Sequence, residues 1–133
     1  MKNKKIIILI IFFIILIFIV FWIYFNTGLK GFEKEISNYT LPKNIETIAI
    51  KSGIGDSGGN GDYSTYRVVL AVKTQMSIDE LKQEFEEINI YKYYYITKCE
   101  NSVFESSRQF KLEFEELEKV EDYSNYYFIE FVK

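Results

Sequence analysis

The chain has 133 residues, 16 basic and 19 acidic side chains, no histidine, one cysteine and one proline. The missing histidine removes the commonest general base near neutral pH, the commonest metal ligand and the usual partner of a Ser or Cys nucleophile. Lys2, Lys4 and Lys5 precede every acid, so from Asn26 onward 13 basic residues face 19 acidic ones, a net −6 that repels phosphate backbones and argues against a nucleic-acid partner.

Residues 1 to 5 form a Lys-rich cytoplasmic leader to Ile6 through Phe25, a run of twenty residues without charge, Gly or Pro. As a helix rising about 1.5 Å per residue it covers about 30 Å, the hydrocarbon thickness of a bilayer. We expect a single transmembrane helix with the lipid bilayer as its partner. The positive-inside rule places the N-terminus in the cytoplasm and the following domain outside the cell membrane. Lys4 and Lys5 then mark one membrane interface, and Trp22 and Tyr24 the other. A cleaved signal peptide has a shorter apolar core and a small-x-small site. Neither feature is present, nor does a Cys follow for lipid attachment.

Residues 26 to 41 are expected to form a juxtamembrane stalk. Leu29, Phe32, Ile36 and Tyr39 also share one face at helical spacing, so a short helix lying on the domain or the headgroups is the equal alternative. Asn38-Tyr39-Thr40 fits the glycosylation triplet, read as incidental.

Pro42 opens the domain, residues 42 to 133. Residues 45 to 51 have strand composition, with Ile48 and Ile50 expected on one face. Residues 63 to 74 alternate more strongly: Tyr66, Val68, Leu70 and Val72 oppose Thr65, Arg67, Val69, Ala71 and Lys73. The two strands are expected to pair as an antiparallel hairpin.

Between them, residues 52 to 62 contain five of the seven glycines. The G-x-G-x-x-G match fails on context, because a strand follows rather than a helix N-terminus that could hold a phosphate. The run also lacks the P-loop Lys-Ser/Thr and the EF-hand order. A flexible hairpin connection is the plain reading. Gly53, Gly55, Asp56, Asn60 and Asp62 are the candidate ligand loop, for a small molecule or Ca²⁺.

Ser77 and Glu80 form a capping box, with Met76 placed to staple onto Leu81, so a helix starts here. Ile78, Leu81, Phe85 and Ile88 are its expected buried face, and it ends near Asn89. Residues 90 to 99 read as a strand whose tyrosines either fill core and rim or stack on sugars. Cys99 is read as a small buried side chain, with an intermolecular disulfide or lipid attachment as the alternative. Residues 100 to 107 read as a polar connection around Val103 and Phe104. From Gln109 to Glu115 the alternation points Phe110, Leu112 and Phe114 inward. The acidic run 113 to 122 is a solvated face or a docking site for a basic partner. Tyr126 to Val132 is apolar on both faces, as in a central strand.

The fold class is α+β: one transmembrane helix, then a two-layer domain of order β-β-α-β-β-β. It has an antiparallel or mixed sheet of about five strands, one helix on it, and a single core. That core is expected to draw on Ile48, Ile50, Val68, Leu70, Val72, Leu81, Phe85, Ile88, Phe110, Leu112, Phe114, Ile129 and Phe131. Leu41-Pro42-Lys43-Asn44, the Ser57 to Asp62 hairpin, Ser77 to Leu81 and Tyr126 to Phe131, in this order, resemble uncharacterised small membrane-anchored or lipid-anchored surface proteins of Firmicutes. The resemblance implies an α+β surface domain and carries no catalytic residue.

No catalytic residue, metal ligand or cofactor is assigned, and the chain is not expected to be an enzyme. Paired carboxylates are the weakest alternative, since a catalytic pair needs a cleft and a shifted pKa. The expected role is non-catalytic binding of an unknown protein or envelope partner. The alternatives are ligand or Ca²⁺ sensing through the glycine loop, and toxin-immunity-type binding of a basic protein.

Overall fold

The computed structural model describes residues 2–56, 64–88, 93–106 and 110–133. Helix α1 spans Lys2–Ser37 and leads into β1 (Glu46–Asp56) and β2 (Ser64–Lys73). Helix α2 (Ile78–Ile88) follows, then β3 (Tyr94–Lys98), β4 (Val103–Glu105), β5 (Lys111–Glu113), a 3₁₀ turn (Glu115–Leu117) and β6 (Tyr126–Val132). The fold is α+β, and among the described residues every strand pairing is antiparallel.

Four strands form one sheet in the order β1-β2-β6-β3, and β4-β5 form a second. The run apolar on both faces does become a central strand: β6 pairs with β2 on one side and β3 on the other. Its alternation separates two cores. On one face Val68, Leu70, Val72, Tyr127, Ile129 and Phe131 pack with Phe32 and Ile36 of α1 and Leu81 and Phe85 of α2. On the other, Val69, Ala71 and Phe128 pack with Cys99, Phe104, Phe114 and Leu117. Each fully buried side chain of this size contributes about 1.5–3 kcal/mol.

The domain is therefore three layers deep, not two: helices, sheet, and the β4-β5 hairpin with its 3₁₀ turn. The expected single core is divided by the sheet, and Phe110, Leu112 and Phe114 belong to the second half. Residues 100–107, expected as a polar connection, contain β4, whose Phe104 is 2% exposed. That brings the strands among the described residues to six. The side chain of Ile88 lies outside the described residues.

Ile48 and Ile50 do not share a face. The register with β2 slips between Thr47 and Ala49, so Ile48 is an extra residue opposite the Val72–Ala71 step. A bulge of this kind turns two consecutive residues the same way. Ile48 and Ala49 accordingly pack on the second core, and Ile50 on the first.

Of the two readings of residues 26 to 41, the structure takes the helix lying on the domain rather than the stalk. Helix α1 runs unbroken to Ser37, and two of its apolar residues at helical spacing, Phe32 and Ile36, find a sheet to cover. Phe32 and Ile36 are each 2% exposed, and Tyr39 packs against the same core. The capping box forms as written: the Ser77 N–H donates to Glu80 Oε2 at 2.7 Å, and the Glu80 N–H donates to Ser77 Oγ at 3.3 Å. Met76 and Leu81 both face the first core.

Candidate membrane interface and binding surfaces

From Ile6 to Tyr24 every side chain of α1 is apolar or aromatic and outward-facing, between 45% exposed at Leu16 and 74% at Phe18. Helix α1 is long and apolar enough to cross a membrane. Lys4 and Lys5 are exposed at one end of this segment, and Trp22 and Tyr24, 70% and 73% exposed, at the other.

Above it, α1 is fastened to the domain over three turns. A Cβ added to Gly28 would come within 2.6 Å of Tyr66 Oη, so the glycine lets the tyrosine reach the helix backbone. The Ser52 hydroxyl donates to the Glu33 carboxylate. On the opposite flank Lys133 Nζ pairs with Glu35 Oε2 at 3.2 Å and lies 5.5 Å from the Phe32 ring centroid. Sequence spacing pointed to this face, but gave no sign that helix and domain join without a break.

The glycine-rich stretch divides. Gly53 and Gly55 sit within β1, where a Cβ would meet Phe110 Cε2 at 2.8 Å and Arg67 Nε at 2.4 Å. Both make room for large side chains on the second face of the sheet. The Asp56 backbone pairs with Ser64 at the end of the hairpin, while Asn60, Asp62 and the Asp56 side chain lie outside the described residues. Among the described residues no cluster of three His, Cys, Asp or Glu side chains is arranged to hold a metal ion.

The space over Gly55 is occupied by a buried ion pair, Arg67 with Glu130, 8% and 5% exposed. Arg67 Nε also donates to Thr65 Oγ1 at 3.3 Å, and its guanidinium lies 5.4 Å from the Phe110 ring centroid. Sequence reading missed this pair. Its signal was Glu130 alone among apolar residues of a central strand, since a buried carboxylate there demands a cation.

At the β3 edge the tyrosines split. Tyr94 packs against Phe85 and Phe131 at centroid distances of 5.7 and 6.5 Å, and burial, then the Glu86 charge, pushes its hydroxyl pKa up. Tyr93 and Tyr95 are 55% and 60% exposed. Beyond β3 an open cleft of about 300 Å³ is lined by Thr97, Lys98, Glu100, Asn101, Val103 and Glu105 over Phe104 and Phe128. Asn101 Oδ1 accepts from the Val103 N–H at 2.7 Å and Glu105 pairs with Lys111 at 3.3 Å, so these groups are engaged within the cleft's own walls.

Glu113, Glu115, Glu116, Glu118, Glu121 and Asp122 are all exposed on the outer layer. Asp122 is held below the usual carboxylate range by hydrogen bonds from Ser124 and, more weakly, by Lys98. Cys99 is buried, and desolvation pushes its thiol up to about 12, far from a reactive thiolate. Comparison with protein-family models, curated proteins and solved structures returned no match.

Proposed function

We propose that this chain is a single-pass membrane protein whose C-terminal domain is held at the outer face of the cell membrane and acts by non-catalytic binding of a protein or envelope component. The exposed apolar surface of α1 from Ile6 to Tyr24 carries this reading. Contiguous apolar surface of that extent has a stable home only in lipid or against a partner. At a few tenths of a kcal/mol per Leu, Ile, Phe or Val, insertion yields roughly −5 to −10 kcal/mol. Lys2, Lys4 and Lys5, with all 19 acids following, favour a cytoplasmic N-terminus.

Binding is supported by what the surface offers. Tyr93 and Tyr95 provide exposed aromatic area at a strand edge, and the face from Glu113 to Asp122 provides negative charge that attracts a basic partner. The toxin-immunity form of the reading rests on that acidic face. A histidine-free sequence and a buried, protonated Cys99 favour binding over nucleophilic catalysis.

Two experiments test the proposal. Protease shaving of intact cells removes epitopes beyond residue 26 if the orientation is right, and leaves them intact if it is wrong. Photo-crosslinkers at Tyr95 and Glu116 should capture a discrete partner in the native host. Silence at both, from a correctly oriented protein, refutes binding through these surfaces.

A further inference from the structure

The four-stranded sheet ends on two unlike edges. β1, at one end of the order, carries the bulge at Ile48 and is tied to α1 through the Ser52–Glu33 hydrogen bond. Bulges and covering elements blunt a sheet edge against further pairing. β3, at the other end, keeps an unbroken register with β6 from Tyr94 to Lys98 and contains no proline. Among the described residues no strand pairs on its outer side.

The hydrogen bonds of β3 decide what that edge presents. The Val132 N–H donates to the Tyr93 carbonyl at 3.2 Å, and the Cys99 N–H to the Tyr126 carbonyl at 3.0 Å. Both pairs obey the β3-β6 register, and an antiparallel ladder alternates bonded with non-bonded pairs. Residues 93, 95, 97 and 99 therefore turn their backbone groups toward β6. Tyr94, Ile96 and Lys98 turn theirs outward, three N–H donors and three carbonyl acceptors in a row, at the spacing a further strand requires.

The side chains sort by the same alternation. Tyr94 and Ile96 pack on the first core, so Tyr95 and Thr97 stand on the second face, where Tyr95 is 60% exposed. Beside Thr97 opens the cleft of about 300 Å³, with Phe104 and Phe128 as its floor and Lys98, Glu100 and Glu105 on its rim. Glu105 is paired with Lys111, whereas exposed Glu100 belongs to no ion pair among the described residues. On an added strand, the residue opposite Tyr95 and the one opposite Thr97 both point to this face. A long side chain with an apolar stem and a cationic head suits both places. Its head stacks over the Tyr95 ring in one, and reaches Glu100 across the aromatic floor in the other.

We propose that β3 receives an extended segment of a partner protein as a fifth strand of this sheet, with Lys or Arg at two alternate positions facing Tyr95 and the Glu100 cleft. This inference rests on the reading of the domain as a protein binder and deepens it by naming the chemistry of the segment bound. Main-chain hydrogen bonds to the strand edge supply affinity, and the alternate side chains supply specificity.

The probe is the end-blocked peptide Thr-Arg-Thr-Arg-Thr-Arg-Thr, titrated into the full chain in zwitterionic micelles, with the Glu-for-Arg peptide as control. Amide exchange followed by NMR should show Tyr95 and Thr97 protected throughout, and Tyr94, Ile96 and Lys98 protected only with the Arg peptide. Lys98→Pro removes one outward N–H and spares the β6 ladder, which that N–H does not serve. It should weaken binding about tenfold relative to Lys98→Ala, and Glu100→Gln should weaken it about threefold relative to the unsubstituted chain. Tyrosine circular dichroism matching the unsubstituted chain certifies each variant as folded, and the amide pattern stands without any variant. Binding that leaves the three outward amides unprotected, or that is equal in Lys98→Pro and Lys98→Ala, is charge attraction alone and overturns strand addition. Absence of binding up to about 1 mM peptide overturns it too. Capture by the crosslinker at Tyr95 or Glu116 then leaves the binding reading standing, whereas silence at both overturns reading and inference together. Protection of the three amides without peptide, rising with protein concentration, gives the edge to a second copy of this chain and overturns the partner strand.

Discussion

Arg67 and Glu130 neutralise each other beneath Phe110, and the cost of separating them can be worked from the structure. Arg67→Met keeps most of the side-chain volume but leaves Glu130, 5% exposed, without its cation. Removing one partner of a buried pair costs about 3–5 kcal/mol, because the remaining charge must stay desolvated or open the core to water. Against a domain stability of about 5–15 kcal/mol this is a large fraction. Replacing both partners, Arg67→Met with Glu130→Leu, removes the stranded charge, and such exchanges are often neutral or stabilising by about 1–4 kcal/mol. Urea unfolding of the full chain in micelles, read by tyrosine circular dichroism, should therefore show the single variant far less stable than the double. The reasoning fails if the single variant loses less than about 1 kcal/mol, or if the double is no more stable than the single.

Gly55→Ala should destabilise by about 1–3 kcal/mol, since its Cβ would lie 2.4 Å from Arg67 Nε. Gly31→Ala, on an open helix surface with nothing within 4 Å, should stabilise by about 0.5–1 kcal/mol, and the same urea assay separates them. Phe32→Ala removes a fully buried ring and should cost about 3–5 kcal/mol and expose the seam to limited proteolysis. Phe18→Ala, on the exposed apolar surface, should leave domain stability unchanged. Hydrogen bonds from the Ser77 backbone, then its hydroxyl, lower the Glu80 pKa, so the capping contribution is present above the ordinary carboxylate pKa and is lost as pH falls through the depressed one. The stability gap between the natural chain and Glu80→Gln should thus shrink in acid. Ellman's reagent at pH 8 should leave Cys99 unmodified until urea unfolds the domain.

Much of this architecture was readable because it rests on local signals. Ser77 and Glu80 announce α2 by side-chain reach, and the two-sided apolarity of Tyr126 to Val132 announces a central strand. The parts that were missed depend on what lies across space. Ile48 looks in phase with Ile50 until one residue is displaced against β2, which nothing in its own segment announces. Phe104 is a single buried ring in a polar stretch, and three residues of β4 carry too short a pattern to see. Gly53 and Gly55 read as loop residues because glycine does not reveal whether it turns the chain or yields space; only the positions of Phe110 and Arg67 decide. For the candidate surfaces, exposure at Tyr93 and Tyr95 and burial at Tyr94 follow from strand alternation. The Arg67–Glu130 pair required knowing that β2 and β6 are neighbours.

The unbroken run of α1 makes its apolar segment and the domain one lever. Each residue inserted between Phe25 and Gly28 would turn the domain by about 100° around the helix axis and raise it about 1.5 Å. A bilayer thicker or thinner than the apolar segment changes the tilt of a spanning helix. With α1 spanning as proposed, its continuous helix from Lys2 to Ser37 would pass that tilt to the tyrosine edge and the acidic face, and membrane thickness would set the direction in which the domain presents itself.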